Sequence, residues 1–180
     1  SDSKTITLAD SHNSFVSIQD DGPSITSAFS SGTVIQDETP GVQTSADPNA
    51  QNDVAGSGLP SGVLALFNAI SHQGSDPDVA VKDNGAIGFA TSSSPIVHVS
   101  TDFGTDGPAL SNAQVLSLSI NGGNGADSGL QTTDGHHIFL FKEGSLIVGR
   151  YDGPDSGTTV TNTGTDPAAF AIALGQDGNI

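Results

Sequence analysis

Two strand-like arms, His137 to Lys142 and Ser145 to Tyr151, meet at Lys142-Glu143-Gly144-Ser145, and no other stretch constrains the fold as strongly. A period of two places every second side chain on the same face of a strand, and a glycine between two such arms supplies the turn, so the pattern predicts a β-hairpin. Elsewhere the apolar residues also come in short runs, at 4–8, 14–18, 24–29, 33–35, 79–81, 86–90, 96–99, 114–120, 158–161 and 168–174. With 23 Gly and 9 Pro interrupting the chain, these runs predict an all-β domain of many short strands with long polar loops. Only Gly62 to Ile70 leaves a short helix in competition with a strand. As a helix it places Leu64, Phe67 and Asn68 on one face, with Ser61 as its N-cap.

Charge narrows the function. The chain carries 20 acidic residues against 4 Lys and Arg, a formal net charge of −16. Nucleic acid is excluded as a partner because phosphate binding needs clustered cations, and no apolar run is long enough to insert in a membrane. Of the acids 18 are Asp, and only Glu38 and Glu143 are Glu. Aspartate is short, favours turns and holds its carboxylate close to backbone carbonyls, which suits oxygen-rich calcium loops as well as plain turn formation. With no Cys, disulfides cannot stabilise the chain, whereas bound cations would relieve its self-repulsion.

Four acidic groups are candidates for calcium. Asp20 and Asp21 precede Gly22-Pro23 at a junction, with Asp37 and Glu38 downstream; Asp127 and Asp134 bracket a second segment, beside Asn124; Asp102 and Asp106 form a third; Asp10 with Asn13 is weaker. Calcium takes six to eight oxygens, so several carboxylates plus carbonyls must converge on each ion. The competing reading of each pair is a hydrogen-bonded turn. Zinc and catalysis find little support: His136 and His137 are adjacent and face opposite ways on a strand, while His12, His72 and His98 stand apart. No serine sits in a G-x-S-x-G elbow, and aromatic residues at 5% give no platform for sugar stacking, so a non-enzymatic domain is expected.

Three stretches act in combination: Asp20-Asp21-Gly22-Pro23 with Asp37-Glu38-Thr39; Asp127-Ser128-Gly129-Leu130-Gln131-Thr132-Thr133-Asp134-Gly135; and Leu146-Ile147-Val148-Gly149-Arg150 followed by Ala169-Phe170-Ala171-Ile172. In this order and spacing, residues 20–180 resemble the tandem repeat domain of giant type I-secreted bacterial adhesins of the repeats-in-toxin class. The resemblance implies a Greek-key, immunoglobulin-like β-sandwich that is secreted to the bacterial cell surface and stiffened by calcium. It also implies a spacer or adhesive role in attachment and biofilm formation. Residues 1–19 are then the tail or edge hairpin of a preceding unit. The partners expected are neighbouring repeats of the same polypeptide and a surface glycan or protein ligand, the isolated domain being monomeric. Gly122-Gly123-Asn124-Gly125-Ala126-Asp127 matches the opening of the calcium-binding nonapeptide of that class, but it occurs once and Gly129 stands where a large apolar residue is needed, so it reads as a turn. The alternative to a spacer is a carbohydrate- or peptide-binding module using the loops at 40–80. Gln176-Asp177-Gly178-Asn179 reads as a last hairpin turn with Ile180 where its returning arm should begin, so a truncated hairpin, its edge exposed for want of that arm, is expected.

Overall fold

A computed structural model describes residues 23–36, 53–73, 88–153, 159–161 and 166–180. The strands expected at 4–8, 14–18 and 79–81 lie outside these residues. Within them the elements are β1 (Ser24–Ser30), β2 (Asp53–Val54), α1 (Val63–Asn68), β3 (Phe89–Ala90), β4 (Val97–Asp102), β5 (Ala126–Gln131), β6 (His137–Glu143), β7 (Leu146–Tyr151) and β8 (Ala168–Ile172). The fold is all-β: β1 pairs with β4, β2 with β3, and β5-β6-β7-β8 form a four-stranded antiparallel sheet whose order follows the chain. This largest sheet is therefore a meander, every connection joining neighbours.

The expected hairpin is its centre. Glu143 pairs with Leu146, leaving the two-residue loop Gly144-Ser145, and Gly144 takes φ 63°, the left-handed first position for which such a turn needs glycine. Directly opposed residues share a face. Phe141, Val148 and Ala171 therefore lie on one face of the sheet, and Leu140, Gly149 and Phe170 on the other. Every residue from Leu146 to Arg150 is buried, as befits a central strand covered on both faces.

The helix resolves the ambiguity at 62–70, and it covers the first face. Val63, Leu64, Phe67 and Ile70 are half-buried at helical spacing, and Phe67 and Ile70 pack against Leu146, Val148 and Ala168. Complete burial of a side chain of this size contributes about 1.5–3 kcal/mol, and these half-buried ones contribute less. The helix starts differently from expectation: Gly62, at φ 87°, is the N-cap and no side chain caps it, while Asn68 is exposed. On the opposite face the Phe170 ring lies over Gly149, where an added Cβ would come within 2.6 Å of the ring and 2.8 Å of Ile138.

Polar bonds hold the rest. Arg150 is 1% exposed; its Nε and Nη2 donate to Glu143 Oε1 and Oε2 at 2.6 and 2.9 Å, and its Nη1 donates to the carbonyls of Ser71 (3.1 Å) and Asp166 (2.8 Å). One side chain thus ties the hairpin to the chain leaving α1 and to the chain entering β8. Residues 114–120 form no ladder. They are held by side chains instead: Gln176 exchanges two hydrogen bonds with the Leu116 backbone, both 2.8 Å, and Lys142 Nζ donates to the Leu118 carbonyl at 2.8 Å. The turn at 175–179 forms as expected and folds back onto 91–97, where the amides of Ile96 and Val97 donate to Gly178 O at 2.8 and 3.0 Å. The Ser92 amide donates to Ile180 O at 2.8 Å, so residues 178–180 join the start of β4 to the main sheet.

The close packing of Phe170 on Gly149 makes a prediction. Gly149→Ala forces a methyl into the ring and costs about 1–3 kcal/mol in a denaturant melt, and Phe170→Leu in the same chain recovers part of that loss.

Candidate functional site

Each acidic candidate in the described residues is exposed, and each sits at a turn or strand end. Asp102 closes β4, and its Oδ1 accepts the Gly104 amide at 2.9 Å, a side-chain-to-backbone turn. Asp106 lies in the next turn, closed by the Gly107 amide donating to Gly104 O at 3.2 Å. Asp127 lies near the start of β5; its Oδ1 accepts the Gly129 amide at 2.8 Å and its Oδ2 faces His137 Nδ1 at 3.2 Å. Asp134 lies in the turn joining β5 to β6, closed by the Gly135 amide donating to Thr132 O.

The fold keeps Asp127 and Asp134 apart. Asp127 lies opposite Phe139, whereas Asp134 lies past the Gln131–His137 pair at the far end of the same hairpin. The register shifts between the Asp127–Phe139 and Gln131–His137 pairs, so four residue steps of β5 stand opposite only two of β6. Among the described residues no group of three or more His, Asp or Glu side chains is placed to hold one ion. Asp20, Asp21, Asp37 and Glu38, the junction group, lie outside the described residues.

Two arrangements were not evident from the sequence. His137 bridges Asp127 through Nδ1 and Gln131 through Nε2 (3.0 Å), which fits a ring that donates to the carboxylate and accepts from the amide. Second, a cavity of about 400 Å³ opens where 59–67, β8 and the turn at 175–179 meet. Its walls are mainly apolar, including Leu59, Val63, Phe67, Ile96 and Ile172. Three of its polar side chains are engaged within the chain: Gln36 donates to Gly88 O, Thr91 to Ile180 O, and Asn179 Oδ1 accepts from Ser92. Walls that are mainly apolar fit an apolar group better than a sugar.

A family model described as Domain of unknown function (DUF5801) matches residues 33–180. The chain belongs to this family. No curated protein and no solved structure matches it. The DUF5801 span takes in α1, the whole four-stranded sheet, the Arg150 bonds and the cavity-forming turn at 175–179. It includes Asp37 and Glu38 and leaves out Asp20, Asp21 and β1.

That last turn of the DUF5801 domain carries a pH signature. Asp177 accepts the Asn179 backbone amide (3.1 Å) and the Asn179 side-chain amide (2.6 Å), which hold its carboxyl below the ordinary aspartate value of 3.8. A depressed carboxyl stabilises the fold above its unfolded value, and that stabilisation is lost as pH falls through the folded value. Carboxyl NMR titration is expected to give Asp177 a midpoint below the ordinary aspartate value of 3.8, and Asn179→Ala is expected to raise it.

Proposed function

We propose that this chain is a calcium-stabilised extracellular repeat of a large bacterial surface adhesin, a non-catalytic spacer or adhesive module in attachment and biofilm formation. The observation that carries this reading is the allocation of charge. Eighteen of the 20 acids are aspartate, and both described cations are occupied internally, Lys142 on the Leu118 carbonyl and Arg150 on Glu143. The exposed carboxylates therefore gain nothing from these two cations, and in an acidic chain with a small core an external divalent cation is the natural counter-charge. The resemblance of residues 20–180 to adhesin repeats points the same way and supports the junction acids Asp20, Asp21, Asp37 and Glu38 as ligands. Secretion follows from that resemblance: calcium is scarce inside a cell and millimolar outside, so the ion would favour folding only after export.

The alternative is a ligand-binding module using 40–80. Its support is the cavity, to which this stretch contributes Leu59, Pro60, Val63 and Phe67. The apolar walls fit a peptide side chain rather than a carbohydrate.

Thermal melts of chelator-treated protein, with calcium or magnesium restored at equal ionic strength, separate the two. Calcium at about a hundred times its dissociation constant adds about 2.7 kcal/mol, which raises the Tm by about 5–10 °C for a chain of this size. Charge-neutralising Asp20→Asn with Asp21→Asn is expected to reduce that rise. A melt indifferent to calcium contradicts the adhesin-repeat reading.

A further inference from the structure

All seven residues of β1 are exposed, so this strand adds little to the core, yet it is laddered to β4 from the Ser24–Asp102 pair to the Ser30–Val97 pair. Side chains reinforce that ladder. Thr26 is the extra residue at the register shift between Ile25 and Ser27, and its hydroxyl donates to Ser100 O at 3.1 Å. Phe29 stacks on its partner His98 at 4.8 Å, and His98 Nε2 shares a 3.0 Å hydrogen bond with Ser31 Oγ. A bulge keyed by a hydroxyl fixes the register, and the ring stack opposes sliding of one strand along the other.

The other edge of β4 is gripped at its opposite end. Val97, paired with Ser30, turns its amide away from β1 to Gly178 O at 3.0 Å, and the Ile96 amide reaches the same oxygen at 2.8 Å. Next to it the Ser92 amide and the Thr91 hydroxyl donate to Ile180 O at 2.8 and 3.2 Å. Ser92 Oγ accepts the Ile180 amide and donates to Asn179 Oδ1, both at 3.1 Å. Ser24 therefore joins the ribbon at the Asp102 end of β4, and 178–180 holds the Val97 end from the other edge. Ladder bonds run perpendicular to the strands. Drawing Ser24 and Ile180 apart pulls β1 lengthwise along β4 and strains the whole ladder at once, whereas a pull on two points at one end would peel its bonds one by one. The path from Ser24 through β4 to Ile180 crosses neither α1 nor β5 to β8.

We infer that the β1–β4 ribbon, together with 178–180, is a mechanical clamp that carries tension across the unit while the main sheet stays out of its path. The inference rests on the adhesin-repeat reading for the source of that tension, a fibre pulled along its length, with force reaching the unit through Pro23 and leaving through Ile180. It gives β1, a strand that buries no side chain, a kinetic role: resistance to forced unfolding follows the barrier to rupture rather than the equilibrium stability.

Single-molecule force spectroscopy of the full chain in chelator tests it. The chain has no Cys, so introduced cysteines place the pulling handles uniquely. Handles at Ser24→Cys and at a cysteine appended after Ile180 load the ribbon lengthwise. Handles at Ser24→Cys and Asp106→Cys, both toward the Asp102 end of β4, peel the same ladder. The first rupture is expected at clearly higher force in the lengthwise geometry. In that geometry Thr26→Val with Phe29→Ala, which removes one hydrogen bond and one ring stack, is expected to speed rupture at fixed force about tenfold. Gly149→Ala, in the main sheet, is expected to lower the denaturant melt at least as much and leave the first rupture unchanged. Equal rupture forces in the two geometries, or a first rupture that follows Gly149→Ala and ignores the ribbon variant, overturn the inference. The comparison of geometries keeps both the core and the reinforcing side chains intact, so it decides the matter even where a variant fails to fold. Calcium is absent throughout, so a clamp without a calcium-dependent melt, or the reverse, decides each proposal by itself.

Discussion

A guanidinium taken out of water must recover its hydration from the protein, and Arg150 does so by drawing three distant parts of the chain to one point. Two of its donors meet Glu143 at the hairpin turn, and the third nitrogen meets the carbonyls of Ser71 and Asp166. Breaking such a buried pair by removing one partner leaves the other charge stranded, at a cost of about 3–5 kcal/mol. That cost fixes more than one contact. It sets where the chain leaves α1, and hence how Phe67 and Ile70 meet Leu146 and Val148. It also sets where β8 begins beside β7. Asp166 is held from its other side as well, its Oδ2 accepting the Thr161 amide at 2.7 Å.

The same economy governs charge across the molecule. A chain with 34% hydrophobic residues has little core to spare, so its described cations are used as fasteners: Arg150 inside the sheet, and Lys142 between the hairpin and 116–120. The carboxylates are left mostly on turns, where Asp102 and Asp127 already serve the backbone through one oxygen each. Such residues do two jobs without contradiction, since a turn aspartate keeps a second oxygen for another partner. At Asp127 that partner is His137.

Much of the main sheet is legible in the sequence because alternation and turn chemistry agree there. The hairpin needs only its two arms and Gly144, and β8 its Ala-Phe-Ala-Ile alternation. β5 is hidden: Asp127, Ser128 and Gly129 look like turn residues, yet Asp127 and Ala126 pair with Phe139 and Leu140 because the hairpin offers an edge. The reverse holds at 114–120, where alternating Leu116, Leu118 and Ile120 suggest a strand but Gln176 bonds the Leu116 backbone and Lys142 the Leu118 carbonyl. Neither can be read locally, because the deciding partner lies 12 to 60 residues away. Arg150 does leave a local signal: a lone cation near the end of an apolar strand, with Glu143 across the turn, is the pattern of a buried ion pair. For the acids the signal is composition rather than geometry, and composition does not say which carboxylates converge.

Hydrogen exchange resolved by peptide, comparing the unaltered chain with Arg150→Met, tests most directly whether this one side chain organises the domain. Methionine keeps the apolar bulk of the stem and removes all four hydrogen bonds. The account predicts a selective loss of protection at 70–73 and 166–170, with the β6–β7 amides the last to exchange in both proteins. Protection at those two segments that stays unchanged while the hairpin alone loosens would contradict it.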